Sequence, residues 1–155
     1  MRLCWLLPVA IACGANRAGV EPAPPWATSE GKEKAKTELA AALLASGNPD
    51  ATLRLIGKMR AQGSSQPELL VLQGKAMARL GLTDDAEAIL SEVARRHPRT
   101  TDAHNALGIL MMDQRRIDEA IPRFKAAVRA APRSDDAHNN LGFALMAAGR
   151  HAEAI

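Results

Sequence analysis

A period of 34 residues runs through the chain and constrains its fold more than any other feature of the sequence. Residues 101–121 and 135–155, which start 34 residues apart, are identical at 11 of 21 positions. Glycines recur at the same interval at Gly74, Gly108 and Gly142. A fixed period of this length is typical of repeat proteins, in which each repeat is one supersecondary unit that stacks on its neighbours. The sequence therefore predicts a stacked-repeat fold.

Composition indicates that the repeated unit is a pair of helices. The apolar fraction of 47% comes largely from Ala and Leu, which are strong helix formers, while aromatic residues make up 3% and Tyr is absent. A β-sandwich would be richer in β-branched and aromatic residues. With Gly74 at position 8 of the period, we expect a first helix over positions 1–14 and a second over positions 18–31. The resulting units are residues 33–66, 67–100, 101–134 and a partial unit 135–155.

Small side chains explain how the two helices of a unit approach each other. Position 8 carries Gly74 and Gly108, and position 20 carries Ala86 and Ala120. Larger apolar residues, such as Phe124 at position 24, fill the space around these positions. No unit buries its own apolar face completely, so stacking of neighbours is expected to form the core.

Two features depart from a regular array. Pro122 lies about one turn into a second helix, where it removes one backbone hydrogen bond and is expected to bend the helix. The fourth unit reaches only position 21 and so lacks its second helix. We therefore expect its first helix to be partly uncovered, as in the amino-terminal part of a longer protein.

The first twelve residues predict export. Arg2 precedes an uncharged, mostly apolar stretch, residues 3–12, which is shorter than the roughly 20 residues that span a bilayer. This pattern is typical of a signal peptide over residues 1–12. Ala12 before Cys13 also resembles a bacterial lipobox, which implies that Cys13 carries a lipid and anchors the chain to the outer membrane, facing the periplasm. The alternative is ordinary cleavage after Ala12, which would release a soluble periplasmic protein. Residues 13–32 are interpreted as the anchor and a proline-containing tether.

The third unit resembles the tetratricopeptide repeat most fully. That family prefers residues found here at Leu107, Gly108, Ala120, Phe124, Ala127 and Pro132. The resemblance implies an all-α solenoid, a right-handed superhelix of helical hairpins that binds a protein or peptide ligand on its concave face. It also implies a non-catalytic scaffold. With the lipoprotein signal, the chain is similar to tetratricopeptide lipoproteins that assemble pili or secretion complexes. The alternative is a substrate-recruiting arm of an enzyme whose catalytic domain lies beyond residue 155.

The resemblance also implies which residues line the peptide groove. First helices contribute those at positions 2, 5, 9, 12 and 13 of each unit. Two amides at equivalent positions are suited to hold a peptide backbone, the apolar members to contact its side chains, and two cations to attract an acidic segment. The alternative is that the amides and cations are solvated and the methionines pack between helices. The predicted groove residues are Lys75, Arg79, Asn105, Ile109, Met112, Asn139, Phe143 and Met146.

Other classes of site have little support in the sequence. The 20 basic and 17 acidic residues are interspersed, which favours a solvated helical surface over a nucleic-acid site. His104 and His138 occupy equivalent positions, where the family has a packing residue, so packing is favoured over metal binding. No nucleophile with a base, phosphate loop or paired carboxylates is recognisable. We therefore predict no catalytic residue, metal, cofactor or small-molecule substrate.

Overall fold

The computed structural model describes residues 28–154, which form seven α-helices and one short 3-10 helix without any strand. None of the helices in this part of the chain is long and apolar enough to cross a membrane. The predicted signal peptide and Cys13 lie outside the described residues. The helices are α1 (Ser29–Ala45), α2 (Pro49–Ala61), α3 (Pro67–Arg79), α4 (Thr83–Arg96), α5 (Thr101–Asp113), α6 (Ile117–Ala130) and α7 (Asp135–Ala147), followed by the 3-10 turn His151–Glu153.

The helices follow the predicted frame, with one correction at the amino-terminal end. Helices α3, α5 and α7 begin at the first position of their units, as predicted. Helix α1 begins at Ser29, so residues 29–32, which the sequence assigned to the tether, are helical. Thr28 caps this helix, because its Oγ1 accepts a hydrogen bond from the Gly31 backbone N–H at 3.0 Å, and Glu30 adds a favourable charge in the first turn.

Helix packing produces two layers. Each helix packs against the next one along the chain, and the odd-numbered helices α1, α3, α5 and α7 also pack against one another in series. The even-numbered helices are not in backbone contact with one another within residues 28–154. This is the arrangement of a solenoid whose first helices form one continuous surface. We call the surface formed by the odd-numbered helices the inner face.

Three apolar clusters form the core, and each joins neighbouring units. The first joins units one and two through Ile56 and Leu69, and the second joins units two and three through Leu90 and Leu107. The third joins α5, α6 and α7 around Phe124. Stacking of neighbours therefore creates the core, as the sequence predicts.

Glycines at position 8 permit the closest helix contacts. A Cβ built on Gly74 would lie 2.6 Å from Cγ of Leu90, and one built on Gly108 would lie 2.4 Å from Cε1 of Phe124. Carbon atoms normally approach to about 3.5–4.0 Å, so neither position has room for a methyl group. The prediction that small side chains bring the two helices of a unit together is confirmed for these two units.

The turn after the first helix of each unit has a residue with left-handed backbone conformation at position 15. Gly47, Gly81 and Gly149 have φ of 80°, 78° and 74°. The third unit has Arg115 there, with φ of 63°. A side chain in this conformation is strained, because its Cβ approaches the following carbonyl oxygen. The array therefore keeps the turn geometry in every unit, including the one without glycine.

Pro122 does not interrupt its helix. Helix α6 runs from Ile117 to Ala130 with Pro122 inside it and exposed. Proline has no N–H, so it cannot donate to the carbonyl oxygen of Asp118, and a single hydrogen bond is lost.

Candidate peptide-binding groove

Two clefts lie on the inner face where α1, α3 and α5 meet. The first has a volume of about 400 Å³ and brings together three predicted groove residues, Lys75, Arg79 and Ile109. Its remaining wall is mostly apolar. The other lining residues are Leu44, Ala78, Leu90, Ala106, Leu110 and Asp113.

The second cleft lies nearer the amino-terminal ends of the same helices and has a volume of about 390 Å³. Its residue types are unremarkable, so this cleft was not predictable from composition or motifs. Thr37 and Ala41 occupy groove positions 5 and 9 of the first unit, so position in the repeat was the only available signal. The lining includes Thr37, Ala41, Glu68, Val71, Thr101 and Asp102.

Both predicted cations already have partners in the chain. Nζ of Lys75 lies 3.6 Å from Oδ2 of Asp102, an exposed carboxylate on the neighbouring first helix. Arg79 donates a hydrogen bond from Nη1 to the backbone carbonyl oxygen of Leu44, in the last turn of α1. These contacts join successive first helices. Asp102 offsets the charge of Lys75, whereas Arg79 keeps its full positive charge because the carbonyl oxygen that it contacts is neutral.

The two predicted amides occupy different surroundings. Asn105 is half-buried, and its Oδ1 is buried without a hydrogen-bond partner among the described residues. Asn139 is exposed and lines a separate cleft beside α7. The equivalent positions in the sequence therefore do not place both amides in one cleft.

Several apolar side chains of the predicted groove are exposed. Ile109 is 46% exposed, Phe143 68% and Met146 59%. Met112 is half-buried and packs against the cluster around Phe124, which fits the alternative assignment of packing between helices. Three of the four predicted apolar residues are therefore accessible to a ligand, and they lie on the neighbouring helices α5 and α7.

The two equivalent histidines bind the turns between units. Nε2 of His104 lies 3.1 Å from the carbonyl oxygen of Pro98, and Nε2 of His138 lies 3.0 Å from that of Pro132. His104 is buried, whereas His138 is exposed. Each ring contacts the loop that precedes its own helix, but only His104 is packed in the interior as the sequence predicts.

Comparison with known proteins decides the family. Models described as tetratricopeptide repeat match residues 27–110 and residues 105–155. The chain belongs to the tetratricopeptide repeat family. No curated protein sequence matches it.

Solved structures show the same fold. A thermophilic TPR protein of Thermus thermophilus is 23% identical, with a TM-score of 0.70 over 79% of this chain and 69% of that one. MamA AMB-1 is 26% identical, with a TM-score of 0.57 over 77% of this chain and 66% of that one. The structure of Naa15/Naa10 bound to HypK-THB is 15% identical, with a TM-score of 0.71 over 79% of this chain and 19% of that one.

Membership of this family fixes the general class of function. Tetratricopeptide repeats form scaffolds for protein–protein interaction and are generally not catalytic. The chain is therefore an all-α solenoid whose partners are proteins or peptides.

Proposed function

We propose that the inner face binds an extended peptide or a helix of a partner protein through apolar contacts. The observation that carries this proposal is the exposure of Ile109, Phe143 and Met146 on the neighbouring first helices α5 and α7. Large apolar side chains that remain accessible on neighbouring elements are typical of interaction surfaces. Lys75 is paired with Asp102 within the chain, whereas Arg79 contacts only a neutral carbonyl oxygen, so we assign Arg79 to attraction of an acidic segment of the ligand.

A displayed library of random peptides, panned against the chain, tests this proposal. We expect the selected peptides to contain apolar side chains and to lose binding to the variant Ile109→Asp. Leu82→Asp is the matched control, because Leu82 is 45% exposed but lies in the turn between α3 and α4. Selected peptides that bind equally well to both variants would place the ligand elsewhere.

The amides are tested separately with the same selected peptides. If Asn105 and Asn139 hold the ligand backbone, the double change Asn105→Ala and Asn139→Ala weakens every peptide regardless of its side chains. Helicity by circular dichroism should be unchanged. Equal affinity for the wild type and the double variant would exclude the amides from the site.

We further propose that the chain is exported and anchored to the outer membrane by a lipid on Cys13, where it helps to assemble a pilus or secretion complex. The lipobox-like residues that end in Ala12 and Cys13 support the anchor. Metabolic labelling with a fatty acid should label the wild type and not Cys13→Ala. Labelling that persists in Cys13→Ala, or that is absent from the wild type, would reject acylation of Cys13. The assembly role is tested by deleting the gene and measuring pilus or secretion-complex assembly, which should fall and recover with the wild-type chain.

A further inference from the structure

The second cleft of the inner face differs from the first in the charge of its wall. Glu68 and Asp102 line the second cleft without any cation, whereas the first is lined by two cations and one carboxylate. The Glu68 carboxylate is exposed and forms no ion pair or hydrogen bond within the described residues. Asp102 is paired with Lys75 through one of its two oxygens. The second cleft therefore presents a net negative charge.

The same cleft has an apolar interior below its carboxylates. Val71 is buried and Leu72 is half-buried, whereas Glu68 and Asp102 are exposed, so the apolar residues lie deeper than the charges. Thr100 also lines the cleft, and its hydroxyl is available as an acceptor because it does not cap α5. Lysine and arginine side chains lay an apolar stem on apolar surface and keep a charged head at the rim. A basic side chain therefore matches both the interior and the rim of this cleft.

Helix α3 fixes the distance between this cleft and the cation of the first cleft. Glu68 lies in the first turn of α3 and Arg79 in its last turn, eleven residues apart. At 1.5 Å per helical residue, this separation is about 16 Å along the axis. An extended peptide rises about 3.3 Å per residue, so about five residues span the two positions. Arg79 is free to pair with a ligand carboxylate, since its contact with the Leu44 carbonyl oxygen leaves its charge unneutralised.

The ion pair between Lys75 and Asp102 joins the two clefts. Lys75 lines the first cleft and Asp102 lines the second, and their charged atoms are 3.6 Å apart. An exposed pair of this kind contributes little to stability and is readily replaced. A ligand that brings a carboxylate to the first cleft and a cation to the second gives each residue a new partner of opposite charge.

We propose that the second cleft binds a lysine or arginine side chain of the partner protein, about five residues from an acidic residue that pairs with Arg79. This inference rests on the proposed function, because it requires the partner to lie along the inner face over α3. It adds the charges of the recognised segment and their spacing.

The test compares the wild type with a charge reversal in the second cleft. A displayed library of random peptides is panned against the 155-residue chain, and the Kd of each selected peptide is measured by fluorescence anisotropy. We expect a basic and an acidic residue about five positions apart in the selected peptides. Glu68→Lys should weaken their binding at least about 10-fold, because attraction is replaced by repulsion. Replacing the basic residue of the peptide by Glu should restore binding to Glu68→Lys.

Matched variants separate the ligand contact from effects on the helices. Asp84→Lys makes the same kind of reversal in the first turn of α4, outside both clefts, and should leave the Kd unchanged. Arg79→Gln retains an N–H donor for the Leu44 carbonyl oxygen but loses the charge, so it should weaken peptides that carry the acidic residue. Arg79→Lys retains the charge and should bind them nearly as well as the wild type. Circular dichroism verifies that the variants remain helical.

The outcomes distinguish this proposal from the proposed function. Selected peptides that lack a basic residue, or that bind Glu68→Lys as tightly as the wild type, would overturn the basic subsite. An equal loss of affinity in Glu68→Lys and Asp84→Lys would also overturn it, because the effect would then come from the overall charge. If such peptides still lose binding to Ile109→Asp, the groove stands without this subsite. Peptides that bind Ile109→Asp as tightly as the wild type would reject the groove itself.

Discussion

Replacing Gly108 by Ala should destabilise the protein, although alanine is the better helix former. The new Cβ would lie 2.4, 2.6 and 2.7 Å from Cε1, Cζ and Cδ1 of Phe124. Normal carbon contacts are about 3.5–4.0 Å, so the ring would have to retreat by roughly an ångström. Phe124 is 2% exposed and belongs to the cluster that joins α5, α6 and α7, so a shift of its ring would disturb the side chains packed around it.

The net effect combines two opposing contributions. Overpacking a well-packed core costs about 1–3 kcal/mol, and a contact this short belongs at the upper end. Removing a glycine from a helix interior contributes about 0.8–1.0 kcal/mol of stability. We therefore expect Gly108→Ala to lower the free energy of unfolding by about 1–2 kcal/mol.

Two other glycines supply the controls. Gly57→Ala has no atom within 4 Å of the new Cβ and should raise stability by about 0.8–1.0 kcal/mol, which measures the helix preference alone. Gly142→Ala should behave like Gly57→Ala, because only the backbone oxygen of Ala154 lies within 4 Å of the new Cβ. In a solenoid each unit depends on its neighbours, so the gain at Gly142 is expected mainly in the protection of α7 amides.

Urea unfolding followed by circular dichroism measures the global effect, and native-state hydrogen exchange measures the effect on α7. The reasoning requires opposite signs for the same substitution at Gly108 and Gly57. A Gly108→Ala variant as stable as the wild type would show that Phe124 can move freely, and would refute the close contact as the reason for the repeated glycine.

Three further predictions concern single side chains. Arg115→Gly should raise the free energy of unfolding by about 1 kcal/mol in urea melts, because glycine adopts the left-handed backbone conformation without strain. Arg115 is the one non-glycine residue with this conformation among the described residues. An unchanged free energy of unfolding would mean that the conformation is unstrained in Arg115. Arg116 of the third unit donates two hydrogen bonds to the Glu87 carboxylate of the second unit, at 2.6 and 3.2 Å. A single ammonium cannot form this bidentate pair, so Arg116→Lys should lower the urea midpoint of unfolding nearly as much as Arg116→Ala. An Arg116→Lys variant with the wild-type midpoint would contradict this. The Ser64 hydroxyl, followed by Lys36, holds the pKa of Glu33 below its usual 4.5, so Glu33 stabilises the fold above that pH and ceases to do so as the pH falls through the lowered pKa. Glu33→Gln should therefore be less stable than the wild type at pH 7 and equally stable in acid, and a difference that persists in acid would exclude this ionisation as the cause.

Periodicity made most of the fold predictable from the sequence. The starts of α3, α5 and α7 follow from the 34-residue interval alone. The start of α1 did not, because no preceding unit defines its frame, and Gly31 was assigned to the tether. The structure shows that a local cap at Thr28 extends the helix through this glycine.

The sequence predicted which repeat positions line the groove, but not which side chains of the groove contact one another. Lys75 and Ile109, which share position 9 of the period, line the same cleft. Frame positions could not predict that Lys75 pairs with Asp102, because that contact depends on the offset between neighbouring first helices. Nor could they separate Asn105 from Asn139, which are equivalent in the period but differ in burial.

The ends of the array explain this difference in physical terms. Position 7 packs against the preceding unit, so Leu107 is completely buried, while Leu39, with no unit before it among the described residues, is 53% exposed. Position 8 packs against the second helix of its own unit, so Gly108 is covered and Gly142 is open. The two ends of the described solenoid therefore expose different halves of one repeating contact. A residue among those described is buried or exposed because of the neighbour it has, which is why the same motif is covered in the third unit and uncovered in the fourth.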